Sequence, residues 1–93
     1  MTKIEWTSNA KKQLDEILKF YTRRNGSPSY SKRLKKEFWR VVEIIPRNPH
    51  FGEMVPDYDN RKRTIVGSFV LAYELDNNVI YIHSIRDGRR DDE

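Results

Sequence analysis

Two apolar stripes at helical spacing, separated by only a few residues, constrain this chain more than anything else in it. Ala10, Leu14, Ile17, Leu18 and Tyr21 recur at i, i+4, i+7, i+8 and i+11, with Lys11, Lys12, Asp15, Glu16 and Lys19 outside the stripe. Tyr30, Leu34, Phe38, Val41, Val42 and Ile45 form a second stripe of the same period. Thr7 or Ser8 can cap the first helix by accepting from an orphan N–H. Asn25-Gly26 ends it, since both residues tolerate the left-handed conformation of a C-terminal cap. Ser27-Pro28 then starts the second, with Ser as N-cap and Pro at the first helical position. Pro46 closes the second helix, because proline disfavours helix in the residue before it. A link this short implies a helical hairpin. Two amphipathic helices in turn require an apolar sheet face to cover.

The rest of the chain can supply that sheet. Residues 3–6 alternate, with Ile4 and Trp6 on one face and Lys3 and Glu5 on the other. Residues 61–66 and 69–75 read as strands joined by a two-residue type II′ turn at Gly67-Ser68. Asp76-Asn77-Asn78 makes the next turn, and 79–86 the last strand. In strand 69–75, Phe69, Leu71, Tyr73 and Leu75 oppose Val70 and Ala72. Strict alternation in 79–86 sets Ile80 and Ile82 against Val79, Tyr81, His83 and Ile85. Residues 46–59, with Pro46, Pro49, Gly52 and Pro56, read as an ordered loop in which Phe51, Met54 and Val55 pack. The expected fold is α+β: an N-terminal strand, a helical hairpin, then a three-stranded antiparallel sheet. That gives four mostly antiparallel strands in one domain spanning residues 1–93.

Composition narrows the function. The 93 residues contain no cysteine, which excludes disulfide scaffolds, thiolate zinc sites and cysteine nucleophiles. No apolar run approaches the roughly 18 residues needed to span a bilayer, and no apolar stretch follows Met1-Thr2-Lys3, so neither a membrane partner nor a signal peptide is expected. A reducing cytoplasm is the simplest location. Eighteen Lys+Arg against fourteen Asp+Glu give a net charge of +4, which hints at an anionic partner and equally suits solubility.

Three sets of residues could carry chemistry. Arg61, Lys62 and Arg63 precede a strand pairing that can bring them towards Arg86, Arg89 and Arg90. Such a cluster could hold a phosphate, since guanidinium offers paired donors and permanent charge; it could also be a strand edge protected by charge. His83 could exchange a proton near neutrality or simply be structural, with Tyr73 and Tyr81 nearby. His50 is a weaker candidate. Neither histidine has a second ligand at metal spacing, so no metal and no cofactor are expected. Lys32, Arg33, Lys35, Lys36 and Arg40, with Glu37 among them, flank the second stripe. They could follow a nucleic-acid backbone, receive an acidic peptide, or be solvated. Trp39 lies at the margin of that stripe or in an interface.

The order of these features resembles the RelE/ParE superfamily of toxins of type II toxin–antitoxin systems, of the plasmid-stabilisation type. Ile4-Glu5-Trp6-Thr7 leading into Ala10, Leu14, Ile17 and Tyr21 resembles the family's opening, and Ile44-Ile45-Pro46 with Pro49 and Gly52 its second-helix ending. Residues 63–75 are similar to the family's arginine, apolar pair, glycine turn and tyrosine-bearing strand. Residues 85–91 resemble its last strand running into Gly-Arg-Arg. The resemblance implies a cognate antitoxin whose flexible segment wraps the toxin. It also implies one of two targets. RelE-like members cut mRNA in the ribosomal A site, and ParE-like members poison DNA gyrase without being nucleases. The first would be metal-independent in-line attack of a ribose 2′-hydroxyl. Arg61, Arg63 and Arg86 would clamp the phosphate, and His83 would be the acid, with Glu74 or Tyr73 assisting. Lys62, Tyr73, Arg89 and Arg90 would bind substrate. The net positive charge puts mRNA cleavage first. Ser84 after His83, Asp87 where many relatives carry His, and the Gly-Arg-Arg ending resemble the ParE side. A toxin-like binding module without activity is the third alternative.

Overall fold

The computed structural model describes residues 3–48, 51–56 and 61–88. Strand β1 (Lys3–Trp6) leads into helix α1 (Ser8–Asn25) and helix α2 (Ser29–Ile44), followed by one 3-10 turn (Ile45–Arg47). Strands β2 (Glu53–Met54), β3 (Arg61–Val66), β4 (Phe69–Asp76) and β5 (Val79–Asp87) complete the chain. The five strands form one sheet in the order β1-β5-β4-β3-β2. All neighbours are antiparallel except β1, which runs parallel to β5 with Ile4 opposite Ile80.

Local chemistry explains most boundaries. Thr7 caps α1: its Oγ1 accepts from the Ala10 N–H at 3.1 Å. The same hydroxyl reaches the carbonyls of Ile82 and His83 at 3.1 and 3.2 Å, so the cap also ties α1 to β5. Gly26 ends α1 at φ 66°. α2 starts one residue later than its sequence suggests. Pro28 is the capping residue and Ser29 the first helical one, while Ser27 Oγ accepts from the Ser29 N–H at 3.2 Å. Gly67 takes φ 63° while Ser68 keeps a negative φ, as a type II′ turn between β3 and β4 requires.

Both helices pack on one face of the sheet. Ala10, Leu14, Tyr21, Leu34, Phe38, Val41, Val42 and Ile45 meet Val66, Phe69, Leu71, Tyr73, Ile80, Ile82 and Ile85 in a single buried cluster. Phe69 makes edge-on contacts with both Tyr21 and Phe38, joining the sheet to both helices.

Three sequence expectations are corrected. The sheet has five strands, because residues 53–54 pair with Lys62 and Arg63. That pairing, rather than burial, orders the loop: Phe51 and Met54 are exposed, and only Val55 is half-buried. In β5 a register shift opposite Ala72 and Tyr73 leaves His83 as an extra residue between Ile82 and Ser84. Such a bulge reverses the alternation beyond it. Ile85 therefore joins Ile80 and Ile82 in the core instead of sharing the face of His83.

Candidate functional site

Among the described residues no helix covers the opposite face of the sheet, and the strand register arranges it in rows. Cross-strand partners point the same way, so Arg61, Arg63 and Ile65 lie on this open face with Glu74, Ala72 and Val70. β5 extends the rows: Tyr81 beside Glu74, Ser84 beside Ala72, and Arg86 beside Val70. The bulge matters here a second time. Without the extra residue at His83, Arg86 would turn towards the helices.

The first row holds a connected set of ionisable groups. Glu74 Oε1 lies 2.8 Å from His83 Nε2 and 3.4 Å from Arg61 Nε. Glu74 and His83 are both partly buried. The bulge aims the imidazole at the carboxylate, and the sheet register brings Arg61 to its other side. One carboxylate thus holds a histidine from the next strand on one side and an arginine from the next strand on the other. In the second row Arg63 Nε lies 3.5 Å from Glu53 Oε1, a residue supplied by β2. The third row is apolar apart from Arg86: Ile65, 65% exposed, beside Val70. Arg86 is exposed at its end.

The structure divides the residues that sequence groups together. Arg61, Arg63, His83 and Arg86 share the open face. Arg61 and Arg86 stand in different rows, opposite Glu74 and Val70, which are four residues apart on β4. At about 3.3 Å per residue along the strands and about 4.8 Å per strand across β4, their backbones are roughly 16 Å apart. They share a face but not a point.

Lys62 and Tyr73 lie on the other side. They are cross-strand partners, and Tyr73 is 1% exposed in the core. Its hydroxyl accepts from the Gly52 N–H at 2.9 Å, while Lys62 Nζ approaches Met54 Sδ at 3.1 Å. Burial raises the Tyr73 phenol above its ordinary pKa, and the hydrogen bond from Gly52 partly opposes this. Tyr73 is therefore a core residue that anchors the loop before β3, and its phenol does not reach the open face. Arg89, Arg90 and His50 lie outside the described residues.

One contributor, Glu53, escapes sequence reasoning, and a second, Glu74, is only partly seen by it. Glu53 sits in a segment too short to show any period. Glu74 was visible only as a weak assistant, and its sharing between two strands depends on register. Among the described residues no group of three or more His, Asp or Glu side chains could hold a metal ion. No described helix is long and apolar enough to cross a membrane.

Comparisons with known proteins place this geometry. The model of the ParE toxin of type II toxin–antitoxin systems (parDE) matches residues 4–92. A structure of a chromosomal ParDE toxin–antitoxin system from P. aeruginosa superposes with TM-score 0.77 at 19% identity, covering 94% of this chain and 96% of the other. A YoeB dimer from Staphylococcus aureus gives 0.66 at 20% identity, covering 91% and 94%. YafQ from E. coli strain BL21(DE3) gives 0.62 at 8% identity, covering 96% of each. No curated protein matches the chain in sequence. Helical hairpin, mixed sheet and sequence agree on a RelE/ParE superfamily toxin, and within that superfamily the chain belongs to the ParE toxin family of type II toxin–antitoxin systems. Membership implies a cognate antitoxin as partner.

Proposed function

We propose that this toxin arrests growth by docking its open sheet face on DNA gyrase, and that it does not cleave mRNA. The observation that carries this reading is charge compensation. Arg61 and His83 share Glu74, and Arg63 faces Glu53. A phosphate clamp needs cations that converge on one point with their charge available. Here two of the three arginines are already matched by carboxylates, and Arg61 and Arg86 are rooted in different rows. What the face offers instead is an apolar patch, Ile65, Val70 and Ala72, bordered by arginines and polar residues. That is the anatomy of a protein interface, where arginine is enriched around an apolar centre. In this reading Arg61, Arg63 and Arg86 are docking residues. The antitoxin neutralises the toxin by occupying or shielding the same face, and the cytoplasm, where gyrase works, is the site of action.

One observation favours mRNA cleavage as the second reading. The Glu74–His83 pair at 2.8 Å, beside Arg61, is an oriented proton-transfer group next to a cation. Balanced in-line cleavage would move the 2′-hydroxyl proton to a base, form the new oxygen–phosphorus bond, and give a proton to the departing 5′-oxygen. With Nε2 held by Glu74, that proton would have to pass through His83 Nδ1.

Purified toxin decides between the two. Gyrase supercoiling assays should show inhibition, and primer extension on translated mRNA should show no toxin-dependent cuts. Cuts that vanish in His83→Gln, with supercoiling untouched, would establish the second reading and sink the first.

A further inference from the structure

The outward face of α2 is charged against the stability of its own helix. Lys32, Arg33, Lys35, Lys36 and Arg40 are all exposed. At 100° per residue they fall within an arc of about 160° that is centred opposite the core-facing Leu34 and also holds Trp39 and Glu43. Lys32 and Lys36, and Lys36 and Arg40, stand at i,i+4, where like charges repel. Four of the five cations occupy the N-terminal half of α2, the positive end of the helix dipole. The first turn carries no acid and the last turn no base. Among the described residues only Arg40 has a carboxylate partner on this face, Glu37.

α1 is the internal control. Its exposed face mixes signs, Lys19 pairs with Asp15 at 3.0 Å, and Arg23 and Arg24 sit in the last turn, where the dipole favours cations. The two helices share one chain, one core and one solvent. α1 also lacks an acid in its first turn, but it carries two cations in its last, where α2 carries none; solvation alone does not explain why α2 gathers four of its five cations at its positive end.

We infer that the Lys32–Arg40 face of α2 binds the phosphate backbone of duplex DNA without sequence specificity. The five cations outnumber the two acids of α2, Glu37 and the exposed Glu43, and a convex row of net positive charge matches a rigid polyanion, whose condensed counterions are released on binding. An acidic amphipathic peptide fits less well, because it needs an apolar groove. The face offers only Trp39, 43% exposed. A single strand fits less well too, because such strands stack bases on open aromatic faces. Trp39 already stacks on Trp6 at 5.2 Å, and Lys35 Nζ lies 5.6 Å from its ring centroid. The inference stands apart from the open sheet face and from the gyrase proposal, although it would bring the toxin to the polymer on which a topoisomerase acts.

The test is fluorescence anisotropy of the purified full chain with a labelled duplex of arbitrary sequence, across a salt series. Wild type should bind, with log Kobs falling linearly against log[salt]. The double variant Lys32→Gln/Lys36→Gln should weaken binding at least about tenfold and reduce the slope by about 1.8, the share of two phosphate contacts. Circular dichroism should show an unchanged fold, with the thermal midpoint at low salt equal or higher, since repulsion is relieved. Arg63→Ala should bind DNA like wild type. The inference is overturned if wild type shows no binding at low salt, or if the double variant binds as tightly as wild type. It is equally overturned if Arg63→Ala abolishes binding, if a single strand of equal length binds as well as the duplex, or if poly-glutamate of equal charge competes as well as unlabelled duplex. Gyrase inhibition retained by the double variant would leave the previous proposal intact whichever way DNA binding falls.

Discussion

Tyr73 and Glu74 are adjacent on β4, yet they belong to different chemical worlds. Tyr73 faces the helices, is sealed in the core, and uses its hydroxyl to hold Gly52. Glu74 faces the open side and ties together side chains from β3 and β5. The covered face converts side-chain volume into stability. The open face spends little on stability and keeps its groups accessible. The same backbone therefore serves as structural floor on one side and as working surface on the other, and substitutions should separate the two cleanly.

The largest effect is expected at Phe38, fully buried between α2 and Phe69. Phe38→Ala should cost about 3–5 kcal/mol in denaturant unfolding. A loss under about 1 kcal/mol would mean that the covered face is not the stabilising one. Gly52→Ala comes next. A Cβ there would lie 2.7 Å from both the Arg63 carbonyl oxygen and the Tyr73 hydroxyl, and both would have to move. Overpacking of this kind costs about 1–3 kcal/mol, so a neutral Gly52→Ala would show that the loop does not press on β3.

Tyr73→Phe should cost about 1–2 kcal/mol by leaving the Gly52 N–H without its partner. It also has a pH signature. Burial raises the phenol above 10.0, so the folded state holds that proton more tightly than the unfolded state. Its contribution is fully present below pH 10 and is lost as pH rises through the folded value. Wild type should therefore lose stability more steeply above pH 10 than Tyr73→Phe, and parallel curves would contradict the burial.

The smallest change in stability belongs to Arg63→Ala. Its partner Glu53 is largely exposed, and exposed ion pairs contribute about 0–1 kcal/mol. Growth inhibition should nevertheless disappear while the fold stays intact. A folded Arg63→Ala protein with undiminished toxicity would remove Arg63 from the working surface.

Sequence reading reached the covered face more fully than the open one. Helical periodicity exposed Leu14, Leu34 and Phe38 directly, because a helix repeats every 3.6 residues and its core stripe survives any local irregularity. The two short turns were equally visible, since Gly67 and Asn77 mark places where the backbone takes positive φ. The open face depends on register, and register failed in two places. One extra residue at His83 reversed the parity of Ile85 and Arg86, and a two-residue strand brought Glu53 to Arg63. Neither leaves a periodic trace. Lys62 joins the arginines through its place between Arg61 and Arg63, and Tyr73 through the family resemblance; neither route accounts for successive strand residues pointing to opposite faces.

The pairing of β1 with β5 has a consequence for how the molecule is made. Thr7 bonds to His83 across 76 residues of chain, and Ile4 lies beside Ile80. Contacts of such high contact order form late, because a long loop must close before any return is felt. During synthesis the helical hairpin emerges first but has no sheet to cover, since β4 and β5 supply most of the buried strand residues. Nascent chains stalled at Asn78 should thus be cut rapidly by protease, whereas released full-length chains should resist. Until β5 is made, β1 has no partner strand and the open face lacks both His83 and Arg86.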